Sequence, residues 1–392
     1  MKRKKVRFIS ALLLIAFLLS YKFFIRDFYI SRFINKETTK AYQGMITLWD
    51  NPSRTVIGSN FGFIKNVVEK FEDDNSLLQI ELRELSFDGA SKLANEKAAS
   101  RNHPDIMSKY VENNITKTDN IMYDKEFVNK MKTTYTIPKI SEDEERCIFP
   151  VYGSFNVIIV NKTAFKEMGI NLPEENWSYN SLIKTIKEIK KKDTKKEKIP
   201  FDMVVNKDSY AYMNFILDSG YSNMNYSKLE NLKKELKGYK CLSKKKSEES
   251  VHYDLYNSKT MIYAGDLTDV NYLIRTKNKE NSFDYAVYPY PYNEQQVNFV
   301  SGVKSYYLMN TKDDSKKAVL QDFIESIYQN EGMNILNIQG KVPLFHVNYI
   351  KKDLKYPHLN KFINLTSYYS TEDNGFVMNR KDIWGKVKDI FK

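Results

Sequence analysis

"NVIIVNKTAFKEMGINLPEENWSYNSLIKTIKEI", residues Asn156–Ile189, is the stretch on which the fold turns. Its opening, Asn156–Asn161, is apolar and β-branched, the composition of a buried strand. A short helix follows, which Pro173 is expected to stop because proline cannot continue a helix. After the turn Pro173–Asn176 come Trp177 and a long amphipathic segment. Its apolar positions Leu182, Ile183, Ile186 and Ile189 recur at helical spacing. Ser178 is placed to cap that helix by accepting a first-turn N–H. Trp177, one residue earlier, then packs onto the helix as a staple residue, a structural role rather than ligand stacking.

Reading outward, Gly44–Asp50 ("GMITLWD") is a strand ending in Trp49 and Asp50. Phe61–Asn75 is an amphipathic helix with Phe63, Val67, Val68 and Phe71 on one face. Leu77–Leu85 alternates as a strand, Gly89–Ser100 reads as a helix, and His103–Met107 turns into another short strand. This β-α-β-α-β order is that of a doubly wound sheet. Less regular polar sequence leads to Cys147–Asn161, a long strand that crosses between two bodies. Further strands are expected at Thr260–Asp266, Phe283–Pro291 and Val297–Asn310, then a helix at Ser315–Gln329. Residues Tyr349–Lys392 look helical and polar. Tyr288, Tyr290 and Tyr292, set among prolines, are read as shaping a loop, with lining of the cleft as the alternative. No repeat of solenoid length is present.

The chain has 392 residues, enough for two domains, and 28 Tyr and 23 Phe supply rings for cores or binding surfaces. Its formal charge of +12 suits proximity to anionic membrane or wall polymers, and nucleic acid by charge alone. The Lys residues are interleaved with acids, as in Lys190–Lys198, the pattern of a solvated face. Four His without chelating spacing and two Cys, Cys147 and Cys241, give no metal site and no disulfide framework. A free or buried thiol pair is expected; spacing does not decide whether the two meet. At the start, Lys2, Arg3, Lys4, Lys5 and Arg7 precede an apolar run from Phe8 to Leu19 that resumes through Ile25. Clustered basic residues stay cytoplasmic, so the remainder emerges outside. There is no lipobox Cys after the run, and the residues before a cut are poor for cleavage. Residues 1–33 are therefore read as a basic segment with an uncleaved signal anchor, with secretion after cleavage as the alternative. Residues 34–44 are a tether. An extracytoplasmic body leaves no place for nucleic acid.

The ordered segments resemble the extracellular solute-binding proteins of ABC importers, in the group that contains the maltose-binding protein. "ITLWD" (Ile46–Asp50) is similar to the family's first strand, "FIKNVVEKFEDDNSLLQIELREL" (Phe63–Leu85) to its helix and second strand, and "NHPDIM" (Asn102–Met107) to its small-Pro-Asp segment. Cys147–Ile189 resembles the family's long central signature. "SKTMIYAGD" (Ser258–Asp266), "VSGVKSYYLMN" (Val300–Asn310) and "QGKVPLF" (Gln339–Phe345) follow in order. Val160, Ser178 and Leu267 depart from the residues usual at those positions. The resemblance implies a two-lobe α/β, periplasmic-binding-protein-like fold of type II, each lobe an open sheet flanked by helices. The lobes would comprise residues 45–150 plus 302–340 and 151–301 plus 341–392, preceded by the N-terminal transmembrane helix. It implies capture of a small solute, a carbohydrate or oligosaccharide, for ABC permease subunits. The alternative is an accessory that presents a bound sugar to a membrane sensor kinase.

No catalytic signature, P-loop or GxGxxG appears, so binding without chemistry, without metal and without cofactor is expected. Sugars are held by an apolar wall with a few fixed polar groups. Ligands of open α/β sheets lie beyond the carboxyl ends of strands. That criterion selects Trp49 and Asn51 after the first strand, and Tyr110 and Glu112 after "PDIM". It also selects Tyr152, Ser154 and Phe155 in the crossing strand, Asp266 after "MIYAG", and Ser301 to Lys304 at the return crossing. Trp49, Tyr110 and Tyr152 are expected as ring platforms on facing walls, with Asp266 as an acceptor opposite.

Overall fold

The alternation in Gly44–Asp50 buries Ile46, Leu48 and Asp50 on one face of strand β1 and leaves Met45, Thr47 and Trp49 partly or fully exposed on the other. The protein, seen here as a computed structural model, is described over residues 42–53, 59–86, 103–110, 120–135, 145–174, 177–203, 248–276, 283–291, 300–329 and 339–345, with positions 137, 231, 234 and 235. The expected anchor at 1–33, most of the tether, the helix at Gly89–Ser100, Glu112, Cys241, Tyr292 and the segment from Tyr349 lie outside the described residues.

Helix α1 (Gly62–Asp74) buries Phe63, Ile64, Val67, Val68 and Phe71, the stripe expected from spacing. It leads to β2 (Leu78–Glu84), parallel to β1 in register Gly44↔Leu78. Strand β3 (Ile106–Tyr110) lies parallel on the other side of β1. The Pro-Asp before it has a local reason. Asp105 Oδ2 accepts from Thr47 N (2.8 Å) and Thr47 Oγ1 (3.1 Å), which pins the start of β3 to β1. Helix α2 (Lys125–Tyr135) occupies sequence that reads as irregular; it buries only Phe127, Val128 and Met131.

Strand β4 (Ile148–Asn161) is 14 residues long and almost wholly buried. Helix α3 (Lys162–Glu167) starts on Asn161, whose side chain accepts from Ala164 N at 2.9 Å. It ends before Pro173. Gly169, at φ +61°, takes the left-handed position after the cap, with Gly169 N→Lys166 O (3.1 Å) and Ile170 N→Phe165 O (2.9 Å). This is the Schellman arrangement, so the glycine rather than the proline stops the helix. Helix α4 (Tyr179–Lys192) begins on the Ser178 cap, whose Oγ accepts from Ser181 N at 3.1 Å. Its buried Leu182, Ile183, Ile186 and Ile189 each contribute about 1.5–3 kcal/mol relative to exposure.

Strand β5 (Asp202–Met203), helix α5 (Glu248–Tyr256), strand β6 (Ile262–Asp266), helix α6 (Leu267–Thr276) and strand β7 (Tyr285–Tyr288) follow. Then come β8 (Val300–Leu308), α7 (Asp314–Gln329) and β9 (Val342–Pro343). The described strands form one mixed sheet in the order β2-β1-β3-β8-β4-β6-β5, with β7 and β9 also paired to β4. Where β4 stops pairing with β8 it starts pairing with β6: Ile148–Phe155 face β8, and Asn156–Val160 face β6. One apolar core gathers α1, α2, α7, β1 and the first part of β4. A second gathers α3, α4, Tyr288, Tyr290 and the later part of β4, and a third lies on the other face around Phe155, Leu267 and Val270. Tyr288 and Tyr290 are therefore core residues, contrary to the loop reading, because Trp177 and α4 pack over them. Cys147 is a free, buried thiol, its pKa pushed up to about 12 first by burial. Among the described residues no helix is long and apolar enough to cross a membrane.

Candidate functional site

The carboxyl ends of β1, β3 and β6 all arrive at the middle of β4. Tyr110, last in β3, is in register with Lys304 of β8, and Lys304 with Tyr152 of β4. Tyr152 also pairs Pro343 of β9, and four residues along the strand Asn156 pairs Asp266, last in β6. Strand β8 is irregular here: Ser154 pairs Gly302 and Phe155 pairs Val300, so Ser301 is the extra residue between. Such bulges bend a strand at functional rims.

Across this line runs a set of buried polar groups. Lys304 is fully buried, and its ammonium meets Asp50 Oδ1 at 2.8 Å and donates to the Asn51 carbonyl. Burial holds the Lys304 pKa below its usual value against the pull of Asp50. Burial, then Asp50, pushes the Tyr306 hydroxyl well above the usual range. Asn51 N donates to Ser108 Oγ at 2.8 Å, and its side-chain amide donates to the Ser108 carbonyl. Ser53 Oγ and the Tyr152 hydroxyl share a hydrogen bond. Lys341, also fully buried, donates to Thr268 Oγ1 at 3.2 Å. It follows Gly340, at φ +70°, where a Cβ would stand 2.7 Å from the Leu267 carbonyl carbon and oxygen. Only glycine lets β9 approach the start of α6 this closely.

The structure thus brings Asn51, Tyr152 and Ser154 together along Asp50 and Lys304, with Tyr110 and Ser301 placed there by register. Other expectations need correction. Trp49 is on the face of β1 opposite Asp50, and the Arg83 guanidinium lies 4.7 Å from its ring centroid, so one face of the indole is already covered. The Tyr152 ring is no open platform: it is 2% exposed and meets Phe63 edge-on at 5.5 Å. Phe155 is fully buried in the third core, because odd-numbered positions of β4 face α6 there. The Asp266 carboxylate caps α6, accepting from Thr268 N (2.8 Å) and Asp269 N (3.3 Å). Glu112 lies outside the described residues. Asp50, Ser53, Ser108, Asn156 and Lys341 escaped the sequence reading. The signal for Asp50 was present: it continues the buried alternation Ile46, Leu48. Lys304 lies within the stretch selected at the return crossing, as one Lys inside an otherwise apolar and aromatic strand.

Trp177 is placed as expected of a structural residue. It is 3% exposed, lies 5.8 Å from the Tyr288 ring, and donates from Nε1 to the Pro289 carbonyl at 3.4 Å. Among the described residues no group of His, Cys, Asp or Glu is arranged to hold a metal ion.

The family model described as bacterial extracellular solute-binding protein matches residues 80–334. No curated protein sequence matches the chain. Among solved structures the chain is similar to the ABC substrate-binding protein Lmo0181 from Listeria monocytogenes in complex with cycloalternan. Identity is 15%, coverage is 89% of this chain and 94% of that one, and the TM-score is 0.63. It is similar also to the galacto-N-biose-/lacto-N-biose I-binding protein of Bifidobacterium longum in complex with lacto-N-biose. There the identity is 12%, coverage 88% and 95%, and TM-score 0.63. A third is the GacH receptor of Streptomyces glaucescens, at 12% identity, 89% and 93% coverage and TM-score 0.61. Likeness at these identities establishes the fold.

Proposed function

Since the chain belongs to the bacterial extracellular solute-binding proteins, receptors rather than enzymes, we propose that it captures a carbohydrate or oligosaccharide at the middle of β4. It would deliver that ligand to the permease subunits of an ABC importer. The observation that carries the reading is the double use of β4, which serves β8 and β9 along its first part and β6 and β7 along its second. A strand shared in this way supports two lobes, proposed here as residues 45–150 plus 302–340 and 151–301 plus 341–392. Hinge rotation about β4, β8 and β9 would close the two parts on the solute. The neighbours in complex with cycloalternan and lacto-N-biose support a sugar as the ligand. The proposed contacts are Asn51, Tyr152 and Ser154, through their polar atoms, joined by Tyr110, Glu112 and Ser301 at the strand ends.

A thermal-shift screen against galactose, lacto-N-biose, maltotriose and xylotriose tests the reading. A binder raises stability as RT ln(1 + [L]/Kd), about 2.7 kcal/mol at a hundredfold excess over Kd. A screen in which only amino acids or peptides stabilise the chain would overturn the sugar assignment.

Residues 1–33 are proposed to hold this body to the membrane as an uncleaved anchor, on the strength of their basic start and apolar run. Membrane-extracted protein should then carry its original N-terminus by intact mass. A mature N-terminus near Tyr21 would show cleavage instead.

A further inference from the structure

Along one face of β4 the character of the residues changes and changes back. Tyr152 belongs to the first core and Ile158 and Val160 to the second, while Ser154 and Asn156 between them are polar and fully buried. Asn156 sits in register with Asp266, two pairs before Ile158↔Ala264, which with Val160↔Ile262 forms the apolar rungs of this face. Both atoms of its side-chain amide are buried without a protein hydrogen-bond partner. A buried amide is costly to leave unpaired, and native proteins retain one only where a water or a ligand completes it. The Asn51 Oδ1 acceptor is likewise buried and unpartnered, at the other end of the same strip, where the Lys304 ammonium meets the Asn51 carbonyl. Tyr152, the rung of Lys304, and Asn156 are four residues apart, about 13 Å of extended strand.

Resting on the reading that β4 floors the solute site, we infer that Asn156 is a ligand-binding residue. Its amide donates to one hydroxyl of a carbohydrate and accepts from a neighbouring one. The ligand spans the strip from Asn156 toward Asn51, which is longer than one pyranose ring, so the preferred solute is an oligosaccharide rather than a monosaccharide. An amide suits this task because it offers a donor and an acceptor side by side, matching adjacent hydroxyls of a sugar rim.

Asn156→Leu replaces the amide by an apolar group of similar size, and the test uses the full-length chain. Without ligand, the melting temperature should stay level or rise, because a polar group kept for binding costs stability. Affinity for whichever of maltotriose or xylotriose binds the wild-type chain should fall about tenfold or more, by calorimetry. Galactose should bind the wild-type chain more weakly than the trisaccharides. A melting temperature that drops by several degrees would mean that the amide is a structural, water-held group, and the proposal fails. It fails also if trisaccharide affinity is unchanged in the variant. Galactose binding as tightly as the trisaccharides removes the oligosaccharide preference. If no sugar binds the wild-type chain, the carbohydrate function itself falls, and the melting temperature alone decides whether Asn156 is structural.

Discussion

Asp50→Ala should cost about 3–5 kcal/mol of folding stability. That is a large share of the roughly 5–15 kcal/mol by which native proteins exceed their unfolded state. Asp50 is 2% exposed and is the carboxylate at 2.8 Å from the fully buried Lys304 ammonium. Truncating it leaves a buried cation with the Asn51 carbonyl and, 5.6 Å away, the Tyr306 ring, but without its carboxylate. Removing both charges is a different matter. Asp50→Leu with Lys304→Met should recover most of the loss, because paired burial of charges gains little over apolar packing of similar volume. Denaturant unfolding followed by Trp fluorescence measures all three proteins. An Asp50→Ala cost of about 0.5 kcal/mol or less, as at an ordinary surface site, would show that the pair is solvated.

The same pair sets a pH dependence with a definite sign. Burial lowers the Lys304 pKa below the usual 10.5, so on raising pH the folded chain loses this proton before the unfolded chain does. In the window between the lowered value and 10.5 the unfolded state binds more protons, and stability contributed by this site rises with pH. The double variant should lack that rise, which isolates it from other titrating groups.

Trp177→Ala should cost about 3–5 kcal/mol, the range for truncating a buried large aromatic. Three contacts go at once: burial in the second core, the tilted packing on Tyr288, and the hydrogen bond to the Pro289 carbonyl. Those contacts tie the start of α4 to the end of β7, so the variant should loosen both. Trp177→Phe keeps a ring but not the donor, and should cost less. Sugar affinity of the folded fraction should stay close to wild type, since Trp177 is packed away from the line of Asn51, Tyr152 and Ser154. A stable variant with abolished binding would reverse this assignment.

The sequence was informative wherever the deciding contacts are local. The Ser178 cap, the four apolar positions of α4 and the stripe of α1 are set by residues each no more than four positions from the next. Alternation placed β2, and an unbroken apolar run placed β4. Even there, two glycine and proline signals within five residues of each other competed. Gly169 won because its bonds close on Lys166 and Phe165, while Pro173 comes after the helix has already ended. Helix α2 was illegible because its buried stripe is three residues wide in an otherwise polar segment.

The site was less legible because its contacts are distant in the chain. Asp50 could be seen to point inward, but its partner lies 254 residues away and is chosen by the pairing of β3 with β8. Whether Asp266 would cap a helix or face a solute depended on α6 starting at the very next residue. Tyr288 and Tyr290 became core only because α4 and Trp177 cover β7. Periodicity within an element tells which side is buried, since it follows from the geometry of one strand or helix. What lies against that side is decided by strand order and register, which only the folded chain supplies.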